Sequence, residues 1–98
     1  MIKGILPEQE NLIKRLLKPY SEDYAFFYYG SRVKGLYSSV SDLDILIKGN
    51  KEMPLMVLTE IKQIFDASSL PYIVNFTDYK KLELSFYELI KEDLVSVF

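Results

Sequence analysis

The 98-residue chain has no cysteine and no histidine. Without cysteine there is no disulfide and no thiolate metal site; without histidine the usual general base and the usual zinc ligand are both missing. Any acid–base or metal chemistry therefore falls to carboxylates, amides, hydroxyls and the backbone. Positive charge is also short, with 12 Lys and Arg against 14 Asp and Glu, a net charge of -2 and a pI of about 5.1. The electrostatic footprint of a nucleic-acid binder is absent, so direct nucleic-acid binding is not expected. Lys14, Arg15, Lys18, Lys80, Lys81 and Lys91 are scattered and read as solvated positions. No apolar run approaches the roughly 18 residues that a membrane span needs, and no charged-then-apolar leader opens the sequence. The expectation is a cytoplasmic protein that does not enter a membrane. Internal repeats and low-complexity segments are lacking too, which sets aside solenoids and linkers.

What is present is apolar for so short a chain: 49% hydrophobic residues, with eight tyrosines and six phenylalanines. A chain of this size buries only about 60–65% of its unfolded surface, so residues 1–98 are expected to form one domain, with part of the apolar surface available to a partner. Pro7 to Lys18 carries Leu12, Ile13, Leu16 and Leu17 at helical spacing, with Glu8 and Glu10 in the first turn and Pro19 as the stop. The aromatic run from Tyr24 to Tyr29 reads as a strand covered on both faces, and Leu43 to Ile47 as a second strand. Pro54 starts a helix with Leu55, Met56, Leu58, Ile61, Ile64 and Phe65. Met53 and Met56 near its start are candidates for partner contact or core. Tyr72 to Thr77 reads as a third strand, Leu82, Phe86, Leu89 and Ile90 as a last helix, and Leu94 to Val97 as a short final strand. This order predicts an α/β (α+β) domain with one small mixed β-sheet packed by helices.

The chemistry is concentrated between the first two strands. Gly30 and Ser31 follow the first strand directly; a glycine lets backbone N–H groups approach a phosphate closely and the serine hydroxyl adds a donor. Arg32 and Lys34 bring positive charge suited to a polyanion, although Arg32 could equally neutralise a carboxylate. Asp42 and Asp44, two apart on an extended chain, project to one face, an arrangement favoured when a divalent cation lies between them. Oxygen-only ligands suit Mg²⁺ or Mn²⁺ and not zinc. Either piece alone reads as a turn or as two solvated acids. Together, as Gly-Ser, a ten-residue gap and Asp-x-Asp, they describe a site for a nucleoside triphosphate and its metal. Tyr37, Ser38 and Ser39 lie in the intervening loop, where two readings stand open, contact with the nucleotide or simple exposure.

The phrase "GSRVKG…SDLDILI" resembles the minimal nucleotidyltransferases (MNT) of the DNA polymerase β superfamily, and the resemblance covers nearly the whole chain. It implies a polymerase β-like nucleotidyltransferase fold. It also implies ATP as substrate, Mg²⁺ on Asp42 and Asp44, nucleotide contacts from Gly30, Ser31 and Arg32, and transfer of AMP to a protein hydroxyl. Such proteins act as antitoxins of HEPN-type ribonuclease toxins, so the implied partner is a HEPN toxin, the implied acceptor one of its tyrosines, and the implied assembly a hetero-oligomer.

The sequence departs from that pattern at one position. The family's third carboxylate falls, in "PYIVNFTDY", on Asn75, which offers a neutral carbonyl oxygen and no basicity. Asp78, three positions on, is expected to point to the other face of the strand. Asn75 leaves three accounts open: a variant that binds nucleotide but transfers slowly, a chain that neutralises its partner by binding alone, or an aspartate that was deliberately replaced.

Overall fold

In the computed structural model, which describes residues 2 and 4–98, the two most apolar stretches become the two central strands. β1 (Tyr24–Tyr29) runs antiparallel to β2 (Leu43–Gly49), and β2 runs parallel to β3 (Val74–Asp78). The two-residue β4 (Val95–Ser96) closes the other edge, giving the order β3-β2-β1-β4. Leu43, Ile45, Leu46 and Ile47 of β2 are fully buried, as expected of a strand with neighbours on both sides and helices on both faces. A parallel pair needs a long crossover. Here it is α3 (Leu55–Asp66), whose Leu58, Ile61 and Phe65 face inward.

α1 (Pro7–Leu17) begins with Pro7, whose fixed φ suits the first turn, and the Gln9 side chain accepts from the Leu6 N–H at 3.1 Å. Its Ile13 and Leu17 join α3 against one face of the sheet, over Phe26, Tyr28, Leu43, Ile45, Ile47 and Phe76. Pro19 does not simply stop the chain; Lys18–Tyr20 continues as a 3-10 turn. Inside this core the Tyr28 hydroxyl donates to buried Glu10 at 2.6 Å, and burial, reinforced by that carboxylate, pushes the phenol pKa far up.

The other face is covered more thinly. α4 (Leu84–Ile90) and its flanking turns bring Ile90, Tyr79, Leu82, Tyr87 and Leu94 against Leu46, Phe27 and Tyr29. The residues that mark the last helix split, with Ile90 buried but Phe86 40% and Leu89 73% exposed. Of the two methionines around Pro54, Met53 is wholly buried and Met56 exposed. α4 is a short helix of seven residues whose one buried residue, Ile90, packs with Tyr29 of β1 and Leu46 of β2.

Candidate active site

The site forms where β1 ends and β2 begins. In the antiparallel register Tyr29 is opposite Asp44, and in the parallel register Asp44 is opposite Asn75. Directly paired residues share a face of the sheet, so Asp44 and Asn75 rise together on the α4 side, with Tyr29 beside them. Asp42 precedes β2 by one residue, and the Leu43 N–H, held by the Ile73 carbonyl at 2.8 Å, fixes the chain just after it. The Asn75 amide nitrogen donates to Asp42 Oδ2 at 3.0 Å and to Asp44 Oδ1 at 3.2 Å. Residues far apart in sequence thus meet at one point, a neutral amide donor between two carboxylates.

Gly30 lies against this cluster. Its φ of 87° and ψ of -159° belong to a region reserved for glycine, and a Cβ there would collide with Asp44 Oδ2. The glycine is required twice over, by its backbone and by its neighbour. Ser31 then opens a single helical turn, α2 (Ser31–Lys34), which Gly35 ends in the left-handed conformation. The Gly-Ser turn and the aspartates, separated in sequence, are adjacent in space.

Asp44 titrates above the ordinary carboxylate range because burial penalises its charged form; the Asn75 N–H opposes the shift and the Asp42 charge adds to it. Two residues not singled out as site residues flank it. The Tyr29 hydroxyl and Thr77 Oγ1 share a hydrogen bond of 2.9 Å, and Phe86 packs edge-on against the Tyr29 ring. Thr77 was findable in principle, being two residues beyond Asn75 on the same strand and hence on the same face.

Arg32 is not where a phosphate contact would put it. Only 2% exposed, it turns inward, its donors meet the carbonyls of Gly4, Ser38, Ser39 and Ser41, and its guanidinium stacks over the Tyr72 ring. The expectation of a direct nucleotide contact from Arg32 is corrected on that ground. Lys34 pairs with Asp93 at 3.7 Å. Asp78 is buried on the opposite face, where it accepts from the N–H groups of Met53 at 2.7 Å and Lys80 at 3.0 Å. It serves as a cap and not as a third carboxylate. Among the described residues no group of three or more acidic, histidine or cysteine side chains converges.

The donor set of Asp42, Asp44 and Asn75 suits a divalent cation. Two carboxylate oxygens converge on one point that a donor hydrogen already occupies, and a half-turn of the Asn75 amide presents its oxygen to the same point. An all-oxygen set of this kind fits a hard cation. A cavity of about 370 Å³ opens beside Asp42, lined among others by Val40, Tyr72, Ile73 and Val74. A larger cleft of about 600 Å³ lies at the far end of the sheet, between Lys18, Tyr24, Lys48 and Phe98, away from the carboxylates.

The family model for the nucleotidyltransferase domain matches residues 9–97. The chain belongs to the nucleotidyltransferase family. It is also 30% identical, over 93 residues, to the probable protein adenylyltransferase MntA of Haemophilus influenzae, an alignment covering 95% of this chain and 82% of that protein. Among solved structures, a toxin–antitoxin with AMP-PNP superposes with a TM-score of 0.75 at 21% identity, covering 92% of this chain and 73% of that one. A complex of MNT antitoxin with tri-AMPylated Shewanella oneidensis HEPN toxin gives 0.67 at 19% identity, with coverage of 91% and 68%. The structural likenesses bear on the fold, which is the small mixed sheet with helices expected of a polymerase β-like nucleotidyltransferase. As a member of this family the chain uses a nucleotide substrate. No helix among the described residues is long and apolar enough to cross a membrane.

Proposed function

We propose that this chain transfers AMP from ATP to a hydroxyl of a partner protein, a tyrosine of a HEPN-type toxin, and thereby acts as that toxin's antitoxin within a hetero-oligomer. The observation that carries the reading is the convergence of Asp42 and Asp44 on one point beside the Gly30–Ser31 turn. Its support beyond geometry is the family match and the resemblance to MntA.

In this reading residues 1–98 act as one nucleotidyltransferase domain. Gly30 lets the triphosphate approach the backbone and the Ser31 hydroxyl donates to it. Asp42 and Asp44 would hold Mg²⁺ or Mn²⁺, with Asn75 in the third position; bound there, the ion would neutralise charge on the phosphates and on the entering and leaving oxygens. The acceptor oxygen forms a bond to the α-phosphorus, the bond to the β-phosphate oxygen breaks, and pyrophosphate leaves with both electrons. The acceptor's proton must go to a carboxylate or to water, because the Asn75 amide has no basic site. A cytoplasmic location accompanies this reading.

A second reading, favoured by the Asn75 amide already lodged between the carboxylates, is a protein that masks its partner by binding alone. One assay separates the two: ATP labelled on the α-phosphate, Mg²⁺ and the toxin. Label transferred to the partner supports the transferase; a tight complex without label supports masking.

A further inference from the structure

We propose that Arg32 is a positioning residue that, from beneath the site, sets where Asp42 stands relative to Asp44. The proposal rests on the nucleotidyltransferase reading of the site and assigns Arg32 a role other than phosphate binding.

A guanidinium that is 2% exposed has given up its hydration, a cost met only when its donors are satisfied. Arg32 satisfies them without a carboxylate. Nε donates to the Ser41 carbonyl at 2.9 Å, Nη1 to the Gly4 carbonyl at 2.8 Å, and Nη2 to the Ser39 carbonyl at 3.2 Å, with Ser38 at 3.5 Å. Tyr72 lies over one side of the plane with its centroid 4.2 Å away, and Tyr37 approaches at 5.4 Å. Three of the four acceptors belong to the loop that ends at Asp42, and the shortest of these three is to the residue directly before it. Arg32 itself sits one position after Ser31. A single rigid side chain therefore ties the phosphate turn, the loop and the start of β2 together.

On the other side of Asp42 the chain is held by the Leu43 N–H on the Ile73 carbonyl; within the loop that precedes it the remaining contacts are local. Ser38 and Ser41 close an exposed turn of their own, through Ser38 N–H to Ser41 Oγ at 2.8 Å and Ser41 N–H to the Ser38 carbonyl at 3.1 Å. That turn fixes the loop's internal shape without fixing where it stands on the domain. Arg32 supplies the second anchor, and its planar fork matches carbonyls that fan out around it. A lysine, whose donors leave one atom, cannot reach the same set or stack on Tyr72.

Arg32→Lys in the full chain tests this by Mn²⁺ binding measured calorimetrically and by AMP transfer at varied ATP and Mg²⁺. Positioning partners of metal ligands typically change affinity or activity by about 10–100-fold. The expected result is Mn²⁺ affinity and kcat both lower within that range, with KM for ATP close to wild type. A raised KM for ATP with unchanged Mn²⁺ affinity overturns the proposal in favour of phosphate contact. Lost folded protein with unchanged constants per folded molecule overturns it in favour of a purely structural role. A measurement on the wild type is independent of whether the variant folds. The Arg32 Nε–H resonance should exchange slowly and barely move when Mg²⁺ and ATP are added; a large shift or rapid exchange overturns the proposal. Wild-type protein that neither binds Mn²⁺ nor transfers AMP overturns the site reading itself, an outcome visible before any variant is compared.

Discussion

Asn75→Asp is the perturbation whose consequences the structure lets one work out furthest. The amide nitrogen stands 3.0 Å from one carboxylate and 3.2 Å from the other, so the substitution turns two donor–acceptor contacts into two like-charge contacts at nearly the same separation. A hydrogen bond to a charged group contributes about 1.5–3 kcal/mol when sheltered, and unit charges about 4 Å apart repel by about 1 kcal/mol in water and about 4 kcal/mol at an effective dielectric of 20. Asp42 and Asn75 are exposed and Asp44 only half-buried, so solvent screening puts the effect at the low end. A loss of about 2 kcal/mol in the absence of divalent ions lowers the Tm of a domain this size by about 8–16 °C. Mg²⁺ should then restore the variant's Tm by more than it raises that of wild type. With a third carboxylate available to the attacking hydroxyl, AMP transfer should rise by about 10²-fold, the low end of what a positioned base contributes. Thermal melts in chelator and in Mg²⁺, beside the labelled-ATP assay, read both effects. Equal melting in chelator would refute the amide bridge, and equal transfer rates would mean that Asn75 is not the missing carboxylate.

Other substitutions probe the supporting parts. Gly30→Ala places a Cβ against Asp44 Oδ2 in a backbone conformation reserved for glycine, and should cost about 1–3 kcal/mol in denaturant melts and abolish transfer; a stable, active variant would show that the turn relaxes freely. Asp78→Ala leaves the Met53 and Lys80 N–H groups without their acceptor, so stability should fall by about 1–3 kcal/mol while transfer per folded molecule is unchanged; a selective loss of transfer would restore Asp78 as a site residue. For Asp44, burial raises the folded pKa above the unfolded one. The folded chain therefore retains a proton that the unfolded chain has released, and this contribution to stability is full below the unfolded value and lost as pH rises through the folded one. In chelator, Asp44→Asn should flatten that stretch of the stability–pH curve and raise the Tm slightly at pH 7, and an unchanged curve would refute the assignment.

The parts legible in the sequence were those whose meaning depends on near neighbours in the chain. The Gly-Ser turn follows a strand and the Asp-x-Asp opens another, so alternation along two antiparallel strands is enough to bring Gly30 against Asp44 once Tyr29 and Asp44 pair. Asn75 was placed at the third position by the resemblance alone and Asp78 on the other face by alternation along the strand; the parallel register sets Asn75 opposite Asp44 and Asp78 opposite Ile47. Arg32 could not be read this way. A basic residue beside a phosphate turn has one local meaning, and what reverses it is Tyr72, forty residues away in the chain, arriving beneath the loop just before β3 starts. The third strand was expected to begin at Tyr72; instead it begins at Val74, and Tyr72 packs against Arg32 and donates to Gln9 of α1 at 3.1 Å. The outward side of α4 escaped for a related reason. Phe86 and Leu89 are spaced to share a face with Ile90, but of the seven residues of α4 only Ile90 is buried over the central strands, and a helix this short does not carry the pattern through. Sequence spacing thus determines which side chains point together, while the length of the surface they meet determines whether they are covered. At this site that second condition turns an expected ligand contact into an internal anchor and leaves Phe86, edge-on against the Tyr29 ring, 40% exposed.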